Sequence, residues 1–539
     1  MIEVLVDWLL VASIFAPLAL LDQCFSKSLR PQALALQWLA PAPALAAGLF
    51  GLGAGPVNLD FPALRLSLRL DQPGALLLTV AALLWMVVGA GVFRSEQPSS
   101  RVGVAWLLTM IGSLGVFVAA DLISFYLVYA LVSIPAYGLI AWEGLPNSKR
   151  AAGVYMAFAI AGEALLLLAF ALLAAGEPQG SLRIVDVMAA LPASPWRDLA
   201  LALLIAGFGM KMGLAPLNGW MPLTYRAAPI PAAAVLSGAG VKAGVIGLIR
   251  FLPLGAALEN WGLALAAIGF FSAFYGVAIG LTQKNPKTVL AYSSISQMGV
   301  IAAALGMALM AGDSGASSSV AFYAANHMLV KAALFLTIGA FAANRAAPLW
   351  RLPLAGALAL SLAGLPFSGG ALAKLASKTQ FASGWAAALA SASSVATALL
   401  MLHFLSRLRR ATARAENATP AGLVRVWPAL AVGALVIPWA LYPAVGDLSD
   451  AFGLAKLWDG VWPLLIAAAL AYVLYDLQDR LPRIHEGDSV VAYEKAFDKS
   501  LALGGAFEGI DARLRQWPAA GLSLVLIALV LAAATALGR

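Results

Sequence analysis

Apolar runs of about 20 residues, the length needed to cross the hydrocarbon core of a bilayer as a helix, recur along this chain of 539 residues. Inside lipid every backbone N–H and C=O must be satisfied within the protein, so helices and closed barrels are the available spanning structures. Barrel strands alternate apolar and polar residues and never run apolar for that length. The chain is therefore expected to be an all-α polytopic membrane protein. Its composition agrees: 62% of residues are hydrophobic and 11% charged, too little charge to cover a soluble protein of this size.

Hydropathy predicts about 16 spans, near 4–21, 33–53, 75–94, 103–120, 122–142, 151–175, 198–216, 230–253, 262–283, 288–311, 317–343, 353–378, 385–408, 426–447, 460–477 and 518–537. Cations gather in alternate loops: Lys27 and Arg30, Arg94 and Arg101, Lys149 and Arg150, Arg226, Lys284 and Lys287, Arg345 and Arg351, then Arg407, Arg409, Arg410 and Arg414. By the positive-inside rule these loops are cytoplasmic, which places the N-terminus outside a bacterial-type inner membrane. The net charge of +8 then belongs to cytoplasmic loops, and no nucleic-acid partner is expected. The first apolar segment begins at once, carries Asp7 and lacks a cleavage pattern, so no cleaved signal is expected. One cysteine, Cys24, and three histidines exclude an internal disulfide and a multi-cysteine metal or iron–sulfur site. No nucleotide fingerprint or haem-binding histidine pair occurs. No cofactor, metal or catalytic residue is expected in this chain.

Two spans are interrupted. In GFGMKMGLAPLNGWMP, Gly213 and Pro216 follow Lys211; in SLAGLPFSGGALAKLASK, Pro366 and the Gly369–Gly370 pair precede Lys374. A broken membrane helix frees backbone groups that must line a cavity or find protein partners, and paired breaks point to an internal repeat and an ion path. The breaks fall in spans seven and twelve. That spacing predicts two five-helix repeats, over 103–253 and 262–408, inverted because each holds an odd number of spans. N-terminal helices occupy 1–102, and C-terminal helices 426–539. A polar to amphipathic segment at about 478–517 connects the last two spans; a surface-lying helix and an ordinary cytoplasmic loop both fit it.

A charge within a span is expensive and usually faces the protein interior. The candidates are Glu163, Lys211, Lys242, His327, Lys331 and Lys374. His327 and Lys331, four apart, share one helix face. Buried lysine readily changes protonation state, histidine titrates near neutrality, and Glu163 could pair with a charged lysine. Together they read as a proton wire. Lys378 reads equally as a lysine snorkelling to the surface. His403 reads as interfacial, and Asp7, Asp121 and Glu143 as solvated span ends.

These residues carry a family resemblance. The stretch from Gly207 to Phe251, with QKNPKTVLAYSSISQMG, NHMLVKAALFLTIG and GLPFSGGALAKL, resembles the antiporter-like subunits of respiratory NADH:quinone oxidoreductase, Mrp-type sodium/proton antiporters and energy-converting hydrogenases. The resemblance implies a bundle of about fourteen helices built from two inverted repeats. It makes Lys211 the central lysine of the broken seventh helix, Lys242 the connecting lysine of the eighth, His327 and Lys331 the pair of the eleventh, and Lys374 the terminal lysine of the broken twelfth. Three positions depart. The usual fifth-helix glutamate is Ala130, the loop histidine is Asn218, and the histidine of the SHMG motif is Gln297. Glu163 is the available substitute carboxylate.

The function expected is translocation of protons, or another monovalent cation, by an antiporter-like subunit embedded in lipid among other membrane subunits, with a soluble or redox module as a further partner. Any oxidoreductase or hydrogenase chemistry then belongs to those partners. The alternatives are an Mrp-type antiporter subunit, the energising subunit of an inorganic-carbon uptake system, and a structural anchor whose channel is inactive.

Overall fold

The computed structural model describes residues 2–53, 57–61, 66–94, 98–343, 350–382, 384–411, 421–473, 484–488 and 490–491. The chain divides into two compact units, Met1–Glu486 and Gly487–Arg539. The predicted span at 518–537 and most of the connecting segment at 478–517 lie outside the described residues.

The first unit is a helical bundle. In chain order its helices are α1 (Ile2–Gln23), α2 (Arg30–Leu36), α3 (Ala42–Gly51), α4 (Gln72–Phe93), α5 (Ser100–Gly115), α6 (Leu122–Ser133), α7 (Ala136–Ile140), α8 (Pro146–Gly176), α9 (Ile184–Ala190), α10 (Arg197–Met212) and α11 (Trp220–Ala227). Then come α12 (Ile230–Val235), a π-helical turn at Leu236–Gly240, α13 (Lys242–Phe251), α14 (Glu259–Leu281), α15 (Pro286–Ala311) and α16 (Ala316–Ala342). The last are α17 (Arg351–Ala363), α18 (Gly369–Ala376), α19 (Gly384–Ala411), α20 (Ala421–Leu441) and α21 (Leu454–Val473). Among the described residues, 11 helical segments are long and apolar enough to cross a membrane.

Four other predicted spans are shorter or divided. The segment at 33–53 is α2 and α3, with Pro41 at the N-cap and Pro43 in the first turn of α3, where the N–H that proline lacks has no intrahelical partner to lose. The stretch at 103–120 holds the 16-residue α5. The other two contain the anticipated breaks and are described with the site. At 122–142, Pro135 separates α6 from α7, yet the two together remain long enough to cross.

A two-stranded antiparallel hairpin, β1 (Val57–Phe61) and β2 (Leu66–Leu70), departs from the all-α expectation. The sequence LSLRL alternates with period two, the strand signature. Asp121 holds the hairpin to the bundle. Its carboxylate accepts from the Ser67 backbone N at 2.7 Å and the Ser67 hydroxyl at 3.1 Å. It also caps α6 through Ser124 N at 2.7 Å. Asp121 is thus buried, not solvated, because it satisfies the orphan donors of a helix N-terminus.

Close packing sets the second half. A Cβ on Gly262, Gly269 or Gly306 would lie 2.4 Å from a backbone nitrogen of the facing helix, so α14 and α15 touch backbone to backbone. Small residues permit this approach where dispersion and not water drives association. The segment Ile230–Phe251 and α16 are enclosed on nearly all sides, whereas α21 lies at the rim.

Candidate functional site

Both helix breaks are built alike. α10 ends at Gly213 in the left-handed conformation (φ 72°), and α17 ends at Gly364 (φ 92°). In each, backbone N–H groups past the end fold back: Gly213 N to Met210 O at 3.1 Å and Leu214 N to Gly209 O at 2.9 Å, Gly364 N to Ser361 O at 2.9 Å and Leu365 N to Leu360 O at 3.1 Å. This is the Schellman pattern, which needs glycine at the left-handed position. Pro216 and Pro366 follow within the breaks. The chain resumes as α11 in one case and α18 in the other. Gly370 is required for the second resumption, because a Cβ there would sit 1.5 Å from Ser361 O. A Cβ on Gly369 would meet Asn326 Oδ1 at 2.3 Å.

Each break presents a lysine to a helix C-terminus, where the dipole favours a cation. Lys211 lies in the last turn of α10. Lys374 belongs to α18, but its Nζ reaches back to donate to Ala363 O at the end of α17. It also donates to Ser394 Oγ at 2.6 Å.

Lys211 is buried and donates to Ser133 Oγ at 2.8 Å and Tyr155 OH at 3.0 Å. Its ammonium lies over the Tyr129 and Tyr155 rings, 5.7 and 5.3 Å from their centroids, where ring quadrupoles attract a cation. Ser133 is one turn from Ala130. Glu163 is also buried, but Lys211 makes no direct ion pair with it among the described residues, and Glu163 Oε1 has no hydrogen-bond partner. The cavity beside Lys211 is small, about 10 Å³, roughly the room one water needs.

α10 packs on α13 through glycine: a Cβ on Gly244 would lie 3.3 Å from Lys211 Cβ. Two residues earlier, Lys242 follows the π-helical turn, a local disturbance of the i→i−4 ladder frequent at functional sites. Its Nζ donates to Ser237 O at 3.2 Å and lies 2.6 Å from His327 Nδ1. Such a contact holds one proton between the two nitrogens: either the ammonium donates to a neutral imidazole, or the Nδ1–H donates to a neutral amine. Among the described residues His327 Nε2 has no hydrogen-bond partner. Lys331, one turn further, donates to Leu290 O at 2.8 Å. Lys242 and Lys331 are fully enclosed, at 0% exposure, and His327 is at 1%.

One turn before His327 on the same face of α16 stands Tyr323. Its hydroxyl donates to Gln297 Oε1 at 2.9 Å, and Gln297 Nε2 donates to Thr397 Oγ1 at 3.0 Å. Tyr323, Gln297 and Thr397 line the same cavity as Lys374, about 310 Å³ in volume. Gln297, which reads in sequence as a lost histidine, is thus a hydrogen-bonded link between the His327 face and the Lys374 cavity. Sequence reasoning missed Ser133, Tyr155, Tyr323, Ser394 and Thr397. Only Tyr323 carried a signal, its i, i+4 spacing from His327.

Lys378 is at the surface, paired with Asp459 at 2.9 Å. His403, expected at the interface, is buried, with Nε2 2.8 Å from Gln283 O. Asn218 is buried and donates to Tyr275 OH at 3.5 Å. Among the described residues no group of three histidine, cysteine, aspartate or glutamate side chains could hold a metal.

The transmembrane family described as NADH:quinone oxidoreductase/Mrp antiporter matches residues 119–399. Over 294 residues the chain is 33% identical to an uncharacterized protein of Mycobacterium tuberculosis (strain ATCC 25618 / H37Rv), covering 52% of this chain and 45% of that protein. Over 301 residues it is 30% identical to hydrogenase-4 component B of Escherichia coli (strain K12), covering 51% of this chain and 43% of the other. The chain therefore spans about half the length of these curated relatives. Its fold matches a chain in the structure of the Mrp complex from Dietzia sp. DQ12-45-1b, with TM-score 0.77 at 22% identity, over 99% of this chain and 63% of that one.

Proposed function

The chain belongs to the NADH:quinone oxidoreductase/Mrp antiporter transmembrane family, and from that premise we propose that it is a proton-translocating subunit of a multi-subunit membrane complex. The observation that carries this reading is the row of enclosed bases, above all Lys242 Nζ at 2.6 Å from His327 Nδ1. A protein interior tolerates such groups only where their partners and protonation are arranged for it. The route runs from Lys211, with Glu163 beside its entrance, through Lys242, His327 and Lys331, and across Tyr323–Gln297–Thr397 to Lys374. Like charges repel strongly in a low-dielectric interior, so a proton arriving at one station favours departure from the next. That coupling lets a partner subunit drive the row by placing or removing one charge at its end.

The full span count of about 16 and the inverted relation of 103–253 to 262–408 belong to the same reading, supported by the matching construction of the two breaks. The basic loops support an orientation in a bacterial-type inner membrane with the N-terminus outside. The Dietzia relative is a chain of a complex, which supports membrane partners. The anchor reading has one observation in its favour: the Lys211 cavity is narrow, with no carboxylate among the described residues that line it. Voltage-driven proton uptake into vesicles containing the full chain separates the two. Lys211→Ala and Lys374→Ala should each lower uptake at least tenfold; unchanged uptake in both contradicts a proton path through them.

A further inference from the structure

The cavity beside Lys374 is walled in part by a helix beyond the matched segment, which ends at residue 399. α21 lines it with Lys456, Asp459, Gly460 and Trp462. Gly460 seats this helix against the second break. A Cβ there would lie 2.8 Å from Gly364 O and 3.2 Å from Pro366 Cγ, so a larger residue would lift α21 away. The preceding residue, Asp459, pairs with Lys378, and the two side chains are 53% and 49% exposed. Exposed ion pairs are weak and exchange readily with water. The mouth they flank faces away from the basic loops: α19 starts shortly after Lys378 and ends at Arg409 and Arg410.

Asp459 is the one carboxylate among the described residues that line this cavity. Deeper in, the hydrogen-bond partners of Lys374 among the described residues are neutral oxygens, Ala363 O and Ser394 Oγ. A carboxylate is a far stronger base than a carbonyl or an aliphatic hydroxyl. Among the described residues that line the cavity, release from Lys374 toward this mouth meets its one carboxylate at Asp459.

We propose that Asp459 is the release carboxylate of the proton path, taking the proton that leaves Lys374 and handing it to water on the cation-poor side. The inference rests on the path described under the proposed function. In the step an N–H bond of the Lys374 ammonium breaks and an O–H bond forms on Asp459, leaving a neutral amine and a neutral acid. The neutral acid no longer attracts Lys378, so the pair parts. Loss of the proton to water restores the carboxylate and the pair, and a proton arriving from the Thr397 side recharges Lys374.

The test is voltage-driven proton release from vesicles holding the full chain, in wild type, Asp459→Asn, Asp459→Glu and Lys374→Ala. Asp459→Asn should slow release at least tenfold, and Asp459→Glu should keep half or more of it. Formate added on the cation-poor side, a small diffusible carboxylate, should restore Asp459→Asn several-fold and leave Lys374→Ala silent. Wild-type rates in Asp459→Asn overturn the assignment, and so does a slowed variant that formate does not restore, since that marks a merely structural residue. Equal formate stimulation of Lys374→Ala also overturns it. Loss of release in Lys374→Ala beside normal release in Asp459→Asn defeats Asp459 alone. Absence of release in the wild type defeats the path and Asp459 together.

Discussion

Replacing Gln297 by leucine tests the link between the two ends of the row. The amide joins Tyr323 OH at 2.9 Å to Thr397 Oγ1 at 3.0 Å. Leucine is close in volume and offers neither a donor nor an acceptor. The substitution leaves two hydroxyls without their partner. A buried polar group so orphaned costs about 1–3 kcal/mol, roughly 2–6 kcal/mol for both, less whatever the Lys374 cavity returns by hydrating Thr397. Against the marginal stability of natural domains this should show as a lower melting temperature in detergent. Transport should suffer more. A proton cannot cross an aliphatic side chain, so voltage-driven uptake by Gln297→Leu should fall at least tenfold, a barrier rise of about 1.4 kcal/mol or more. Gln297→His should restore uptake to within about threefold of wild type, because an imidazole accepts at one nitrogen and donates at the other. Uptake by Gln297→Leu at the wild-type rate, with the protein folded, would refute the role given to this link.

Glu163 is buried without a direct bond to Lys211 among the described residues, so Glu163→Gln should slow uptake several-fold while Lys211→Ala lowers it at least tenfold; full activity in Glu163→Gln would show that Lys211 works without a substitute carboxylate. Gly370→Ala places a Cβ 1.5 Å from Ser361 O, against backbone that cannot swing aside. It should lower the melting temperature by several degrees and halve uptake or worse, whereas Gly356→Ala, whose Cβ would meet nothing within 4 Å, should change neither property.

Much of this architecture was legible in the sequence because membrane helices obey one strong rule, the need to satisfy backbone polar groups inside lipid. The two breaks were legible because glycine, proline and a lysine fall close together within an apolar run twice. Legibility failed where an apolar run folds as something else. The hairpin of 57–70 is short and lies close to the first residue of α4, and its alternation covers only five residues per strand. The segment at 33–53 is apolar apart from Gln37, so hydropathy cannot see the turn before α3. Within the site, the charged stations stood out against their surroundings, as Lys242 does in LSGAGVKAGVIG. Their neutral partners did not. Ser133, Tyr155, Ser394 and Thr397 are ordinary residues in apolar helices until folding brings them to a lysine. Gln297 shows the limit most clearly: compared with a motif it reads as a loss, and its bonds to Tyr323 and Thr397 appear only in three dimensions.

Under the proposed function protons cross through the enclosed bases at the middle of the bundle, where Lys242 Nζ lies 2.6 Å from His327 Nδ1. The most direct test is voltage-driven proton uptake into vesicles by the wild-type chain and by Lys242→Met, which keeps the length and apolar stem of the side chain and removes its nitrogen. Uptake is expected in the wild type, with at least a hundredfold loss in a Lys242→Met protein that melts within a few degrees of it. Equal uptake by the two proteins would contradict it.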